Sequence, residues 1–188
     1  MKKGLKIGLI VGGIAILLVM LFASSYNGLV VQRENVDSKL ANISVQLERR
    51  ADLIPNLVNT VKGYASHESK VIEAIASSRE KLLNADTAEE MAIANEEFNT
   101  ALNNLLVIVE NYPDLKANTN FIQLQDELAG TENRIAVARN DYNDAVKSYN
   151  LVIKKFPKNI MAAMFGFDEA EYFEAKDSSN EVPNVSFE

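Results

Sequence analysis

The sequence predicts an all-α protein: a single N-terminal transmembrane helix followed by an antiparallel up-and-down bundle of long helices. Three observations predict this class. An uncharged apolar run fills residues 7–23, heptad stripes of apolar residues follow it, and residues 26–165 contain three Gly, three Pro and no alternating strand pattern. We expect four helical segments in the bundle, with a break or kink near Pro55.

The first element is the apolar run, which together with Leu5 and two serines after it approaches the ~20 residues that a membrane-spanning helix needs. Lys2, Lys3 and Lys6 precede it, and no basic residue follows until Arg33. The positive-inside rule therefore predicts a cytoplasmic N-terminus and an extracytoplasmic bulk of the chain. The alternative is a cleaved secretory signal, but the run exceeds the ~7–15 residues of a signal core, which favours an anchor over residues 1–25.

Three glycines, Gly4, Gly8 and Gly12, recur every fourth residue in this segment. They place small residues on one helix face, where a second helix can approach closely. The spacing predicts a packing face for self-association. Glycine is also common in membrane helices generally, which is the structural alternative.

The bundle begins with a long heptad stripe between Leu29 and Leu82 that keeps its phase across Pro55. A proline inside a helix removes a hydrogen bond, whereas in the first turn it costs little. An unbroken helix over residues 26–83 would also be much longer than its partners. We therefore expect two segments, residues 26–50 and 52–83, with Asp52 capping the second and the angle between them left open.

The next two segments have clear boundaries. Thr87 and Glu90 have capping-box spacing at the start of the second stripe, which Pro113 ends. Asn118 or Thr119 is expected to cap the third stripe, which ends before Pro157. We assign residues 26–165 to one helical domain.

After the last long segment, residues 159–167 form a short apolar stretch rich in Met and Phe. Its expected cover is the end of the bundle, with a neighbouring subunit or the membrane interface as alternatives. Residues 166–188 are acidic, and we expect them to form a flexible tail that a partner could recruit. Residues 183–187 could add to another sheet as an extended strand.

Composition excludes several functions. The chain of 188 residues has no Cys, no Trp and one His, so disulfides, thiol nucleophiles and cysteine-based metal sites are excluded. His67-Glu68 lacks the second histidine of a zinc helix, and no phosphate loop or nucleophile elbow occurs. Three of the 19 basic residues precede residue 26, which leaves 16 basic against 26 acidic residues and argues against nucleic-acid binding. We predict no enzymatic activity, no cofactor and no metal.

Seven segments taken together resemble the LemA family. They cover roughly residues 26–173, in the family's order, and the tail Pro183-x-Val185-x-Phe187 is similar to the family's ending. The segments are YNGLV (26–30), RRADLIPNLV (49–58), YASHE (64–68), ENYPDLKAN (110–118), LAGTENRIAVARNDYN (128–143), YNLVI (149–153) and FP (156–157). The resemblance implies an N-terminally anchored helical bundle of the bacterial envelope without a settled biochemical activity.

Charged residues on or beside the stripes are the candidate site. Charges in a core must be paired, and paired charges fix the register of helices. We predict cross-helix ion pairs between arginines and glutamates, with surface exposure or ligand binding as the alternatives. The six residues are Arg50, Arg79, Arg139, Glu68, Glu110 and Glu132.

These observations together predict a membrane-anchored, non-enzymatic protein of the cell envelope with coiled-coil-like packing. It would act in assembly or protein interaction, with the membrane, further copies of itself and other envelope proteins as partners. An accessory subunit that presents substrates to an envelope enzyme, such as a membrane protease, is the alternative.

Overall fold

A computed structural model describes the backbone of residues 2–174 and the side chains of residues 4–174. This part of the chain is made of six helices and contains no strand, which confirms the predicted all-α class. The helices are α1 (Lys2–Lys62), α2 (Ser69–Leu83), α3 (Ala88–Val109), α4 (Pro113–Lys116), α5 (Thr119–Lys154) and α6 (Lys158–Phe165).

The described residues belong to two compact units, of which the first comprises residues 2–38 and 144–170. In it, α1 packs against the last part of α5 and against α6. Its buried residues are Leu29, Val36, Ala145, Val146, Tyr149, Asn150, Ile153, Met161 and Ala162. The apolar part of α1 before residue 24 is 0% buried, and it is long enough to cross a membrane.

The second unit comprises residues 39–143 and 171–174 and contains the remaining parts of α1 and α5 together with α2, α3 and α4. Its core is the continuation of the predicted stripes. The large apolar side chains buried there include Ile43, Leu47, Ile54, Leu57, Ile75, Phe98, Leu105, Phe121, Leu128, Ile135 and Phe173. Residues 63–68 turn the chain from α1 into α2, where the stripe continues with Ile75 and Leu82 buried, and Ile72 is buried beside them.

The structure corrects the predicted boundary near Pro55, because α1 continues through this proline to Lys62. Pro55 has no N–H, so the carbonyl of Ala51 loses its normal helical donor. The side chain of Arg79 on α2 replaces that donor, since its Nε lies 3.2 Å from the Ala51 oxygen. The orphaned acceptor is satisfied from a neighbouring helix, and the chain breaks at residues 63–68 instead.

Two of the predicted helix starts have the expected caps, whereas Asp52 lies inside α1 and caps no helix. Thr87 Oγ1 accepts from the Glu90 N–H, and the Glu90 carboxylate accepts from the Thr87 N–H, which confirms the capping box. Asn118 caps α5 by accepting from the Phe121 N–H at 3.1 Å. At the end of α6, Gly166 has φ +71°, and the left-handed conformation lets the Phe167 N–H reach the Ala162 carbonyl.

The start of the expected flexible tail is also corrected. Residues 168–173 are held by backbone hydrogen bonds to side chains of α5, and Phe173 is buried. The acidic composition of this segment did not reveal that its backbone is bound by neutral side chains. The rest of the predicted tail, including Pro183, Val185 and Phe187, lies outside the described residues.

Candidate functional site

The candidate site centres on Arg50, whose side chain is 1% exposed in the second unit. Arg50 lies on the apolar stripe of α1, one residue before Ala51 and one turn before Ile54, so the helix turns it into the core. A guanidinium keeps its charge when buried, so it requires acceptors from its neighbours.

Two other helices supply these acceptors. From α3, the side-chain oxygens of Asn95 and Asn99 accept from Arg50 Nη1 and Nη2 at 2.5 Å and 2.7 Å. From α5, the Glu132 carboxylate forms an ion pair with Nη1. The guanidinium carbon also lies 4.5 Å from the centre of the Phe98 ring. One side chain of α1 is thus joined to α3 and α5 at the same level.

Burial is the dominant electrostatic effect at this site. Removal from water lowers the pKa of Arg50 from its ordinary value, while the charge and hydrogen bond of Glu132 act in the opposite direction. The Nε atom of Arg50 and the Oε1 atom of Gln46, one turn earlier, are buried without a hydrogen-bond partner among the described residues. The cation is therefore held by its two terminal nitrogens.

A cavity of about 440 Å³ opens beside the ion pair, with Arg50, Asn99 and Glu132 on its polar side and Leu102 and Leu106 on its apolar side. Glu132, at 36% side-chain exposure, connects the buried cation with solvent. Within residues 4–174, no three His, Asp or Glu side chains are grouped to hold a metal ion. The chemistry present is that of a charge-assisted hydrogen-bond cluster, which orients three helices.

The structure joins Arg50 and Glu132 among the six predicted ion-pair residues and gives the other four different partners. Arg79 donates to the Ala51 carbonyl, as described for α1. Arg139 lies over the Phe173 ring, 5.0 Å from its centre. Neither arginine forms an ion pair with Glu68 or Glu110 among the described contacts, because a backbone carbonyl and an aromatic face take up these cations instead.

The two remaining glutamates lie near the turns. Glu68 accepts a hydrogen bond from the Tyr112 hydroxyl at 3.0 Å, which raises the pKa of that tyrosine. Glu110 pairs with Lys116 at 2.7 Å, a pair exposed to solvent on both sides. These contacts join the ends of the helices, away from the Arg50 cluster.

The predicted transmembrane packing face is open in the structure. A Cβ atom built on Gly4, Gly8 or Gly12 would meet no atom within 4 Å. The three glycines lie on the exposed apolar part of α1. The single chain therefore leaves this face accessible to a second helix.

Comparison with known proteins provides the family. A sequence-family model described as LemA family matches residues 39–187, which is more than half of the chain. The chain belongs to the LemA family. The match includes Arg50, its three polar partners and Arg79, and it begins after the apolar part of α1.

Individual relatives extend the similarity of this LemA-family chain. It is 28% identical to Magnetosome protein MamQ 2 of Paramagnetospirillum magneticum, over 87% of this chain and 71% of the relative. It is 27% identical to Magnetosome protein MamQ of Magnetospirillum gryphiswaldense, over 80% of this chain and 65% of the relative. Protein LemA of Metamycoplasma hominis is 24% identical to this chain, over 80% of this chain and 69% of the relative.

Sequence reasoning missed two Tyr-Asn pairs on α5 of this LemA-family chain, Tyr142-Asn143 and Tyr149-Asn150. In the second unit, Asn143 exchanges two hydrogen bonds with the backbone of Phe173, and the Tyr142 hydroxyl donates to the Glu171 carbonyl. A repeat of the same dipeptide after seven residues was the available signal.

The other pair makes the same contacts within the first unit. Asn150 accepts from the Ala170 N–H and donates to its carbonyl, both at 2.9 Å. The Tyr149 hydroxyl donates to the Asp168 carbonyl at 2.9 Å. In each pair, the asparagine amide satisfies both backbone groups of one residue, as a β-strand neighbour would do.

Proposed function

We propose that this LemA-family protein is a membrane-anchored, non-enzymatic module of the bacterial cell envelope that acts in assembly with copies of itself and with other envelope proteins. Its N-terminus would lie in the cytoplasm and the helical units outside. The observation that carries the proposal is α1: a single helix that begins with an exposed apolar segment and continues without a linker into the packed residues of the first unit.

The exposed apolar segment supports anchoring because contact between its large apolar side chains and water is energetically unfavourable. Large side chains from Leu5 to Phe22 are about half exposed or more, whereas those from Leu29 onward on the packed face are buried. Burial of apolar surface contributes ~25 cal/mol per Å², so a lipid environment stabilises this segment. The lysines before it support a cytoplasmic N-terminus.

The remaining support concerns the interaction role. The polar groups of the Arg50 cluster are bonded to one another across α1, α3 and α5, which supports a structural role for this cluster. Three of the relatives are named for the magnetosome, and none of the four names refers to a reaction.

Topology is tested with reporters fused to the C-terminus of the full chain: one that is active only outside the cytoplasm and one that fluoresces only inside. We expect activity from the first alone. The control variant replaces Lys2, Lys3 and Lys6 with glutamate, which should weaken or reverse this preference. An intracellular C-terminus in the unaltered chain would contradict the proposed orientation.

The assembly role is tested by size. The full chain is extracted in a mild detergent, and its particle mass and composition are measured by light scattering and mass spectrometry. A particle built of many copies of this polypeptide is the expected result. A monomer or small oligomer that co-purifies with an envelope enzyme would contradict assembly and support the accessory role.

A further inference from the structure

The end of the first unit carries an exposed apolar surface that the anchor alone does not explain. We define the α6 face as Phe156, Ile160, Met164 and Phe165, whose exposures are 79%, 50%, 64% and 52%. A short surface helix of a soluble domain normally presents polar residues on its outer side. Here a run of large apolar side chains lies on the outer side instead.

The packing of α6 shows that the α6 face is separate from the side of the helix that packs into the core. Met161 and Ala162 are the residues of α6 that are buried in the first unit. Ile160 and Met164 are four residues apart and therefore lie on the same side of the helix. The helix is thus apolar on its packed side and on its exposed side, a pattern that requires a second apolar environment.

The position of α6 along α1 identifies that environment. The ring of Tyr26 lies 5.0 Å from the Phe165 ring and 5.8 Å from the Phe167 ring, and the Lys158 Nζ atom is 3.7 Å from a Cβ built on Gly28. Tyr26 follows Ala23, the last residue of the apolar run, by three positions, or ~4.5 Å along a helix. α6 therefore crosses α1 at the level where the hydrocarbon ends and the headgroup layer begins.

We propose that the α6 face inserts into the headgroup and upper acyl layer of the same bilayer that α1 crosses, making α6 an interfacial helix. The inference rests on the proposed anchor. It identifies the occupant of the face as lipid, because α6 belongs to the same compact unit as the exposed apolar segment of α1 and contacts α1 at Tyr26, three residues after that segment. Tyr26 then has the position typical of tyrosine at a membrane surface.

Charge and tethering are consistent with a lipid partner. Lys155 is exposed next to Phe156 and is available to phosphate groups, while Lys154 is paired with Glu169 and the Lys158 Nζ atom lies against Gly28. A helix with so few cations would bind a membrane weakly if it were free. Attachment to a membrane-spanning helix makes the contact intramolecular, so a weak intrinsic affinity is sufficient.

The absence of tryptophan from the sequence allows a direct test with single-Trp variants of the full chain. Met164→Trp reports on the α6 face, Leu17→Trp on the proposed anchor, and Val107→Trp is a control in the second unit with similar exposure. Each variant is reconstituted in phosphatidylcholine and phosphatidylglycerol vesicles that contain lipids brominated either near the headgroup or deep in the chain. Circular dichroism confirms that helix content is unchanged.

We expect Met164→Trp emission to shift to shorter wavelength and to be quenched more by the shallow bromines than by the deep ones. Leu17→Trp should be quenched by the deep bromines, and Val107→Trp by neither. If Met164→Trp does not fold, Ile160→Trp on the same side of α6 provides the same measurement.

The outcomes separate the two proposals. Quenching of Leu17→Trp without quenching of Met164→Trp overturns the interfacial helix and leaves the anchor standing. No quenching at either position overturns the anchor itself. A blue shift at Met164→Trp without quenching shows that protein, such as a second copy of the chain, covers the face, and this also overturns the inference.

Discussion

At the scale of single residues, the Arg50 cluster has an asymmetry that determines how it fails. Arg50 is almost completely buried, whereas Glu132 is about one-third exposed. Removing the carboxylate strands a buried cation with neutral acceptors, and removing the cation strands a carboxylate that water can reach. The two removals break the same ion pair, but they are expected to lower the free energy of unfolding by different amounts.

We expect Glu132→Gln to lower the free energy of unfolding by about 2–3 kcal/mol, below the range of fully buried pairs because of solvent access. Arg50→Met, which keeps an apolar contact with Phe98, should cost less. Thermal unfolding of the full chain in detergent measures both. Arg139→Met is the matched control, with a loss of about 1 kcal/mol or less because Arg139 contacts an aromatic face at a half-buried position. A larger loss for Arg50→Met than for Glu132→Gln would contradict this assignment.

Glu90 provides a prediction for pH. Hydrogen bonds from the backbone N–H groups of Asp86 and Thr87 lower the pKa of Glu90 below its ordinary value of 4.5. A depressed pKa in the folded state stabilises the fold at pH values above the unfolded pKa, and this contribution is lost as pH falls from about 4.5 through the folded pKa. Glu90→Gln should therefore reduce the loss of stability in this acidic range while leaving other carboxylates unaffected. An unchanged dependence of the melting temperature on pH would show that the titration of Glu90 does not contribute to stability.

At the scale of helices, the continuity of α1 depends on a contact from α2. Arg79 donates to the carbonyl that Pro55 leaves without a partner. An unsatisfied backbone acceptor costs about 1–3 kcal/mol. Arg79 on α2 therefore stabilises the turn of α1 that contains Pro55.

This coupling is measurable as a double-mutant cycle. Arg79→Met should destabilise the chain with Pro55 present and should have a smaller effect in the Pro55→Ala background, where residue 55 regains an N–H that can bond to Ala51. Unfolding of the four variants gives the interaction energy. Equal effects of Arg79→Met in both backgrounds would exclude the compensation.

The two Tyr-Asn pairs show how side chains of a helix can bind the backbone of an irregular segment. In the first unit, Asn150 bonds to both backbone groups of Ala170. In the second unit, Asn143 does the same for Phe173. In each unit, an asparagine amide supplies the hydrogen bonds that a neighbouring strand would otherwise supply.

Hydrogen exchange tests each pair separately. Asn143→Ala should accelerate exchange of the Phe173 amide, and Asn150→Ala should accelerate exchange of the Ala170 amide, because each variant removes the acceptor of that N–H. Asn150→Asp keeps an acceptor and should retain most of the protection at Ala170. If neither alanine variant changes exchange at its own position, the side-chain contacts do not hold the segment.

Much of the helical structure was predictable because periodicity and capping are local signals. The stripe of α1, the Thr87 cap and the stop at Pro113 follow from neighbouring residues alone. The course of α1 through Pro55 was not predictable, because it depends on a side chain from another helix. The binding of residues 168–173 was missed for the same reason: an amide contact between distant residues has no signature in local hydropathy.

At the scale of the whole molecule, the sequence is divided into two parts by charge and hydropathy. The basic and apolar N-terminus precedes an acidic remainder. Arg50 was identifiable as a site residue because a charge on an apolar stripe is conspicuous. Asn95 and Asn99 were not, because a neutral amide within a helix gives no such contrast and its partner lies on another element.

Self-association gives the prediction at this scale. Gly8→Leu and Gly12→Leu fill a face that is open in the single chain, so we expect them to reduce the mass of the detergent-extracted particle if helices pack there. Gly13→Leu is the matched control, since Gly13 has equally open surroundings but lies about 100° away from Gly12 around the helix. An identical particle mass for all three variants would remove these glycines from the interface.

The bond between Arg79 and Ala51 also has a consequence for the order in which the chain matures during synthesis. The nascent helix reaches Pro55 before its missing donor exists, because that donor is encoded 28 residues after the acceptor. The turn around the proline is completed only after α2 has emerged and docked. A ribosome stalled between these two points would therefore hold α1 with an unsatisfied Ala51 carbonyl until synthesis has passed Arg79.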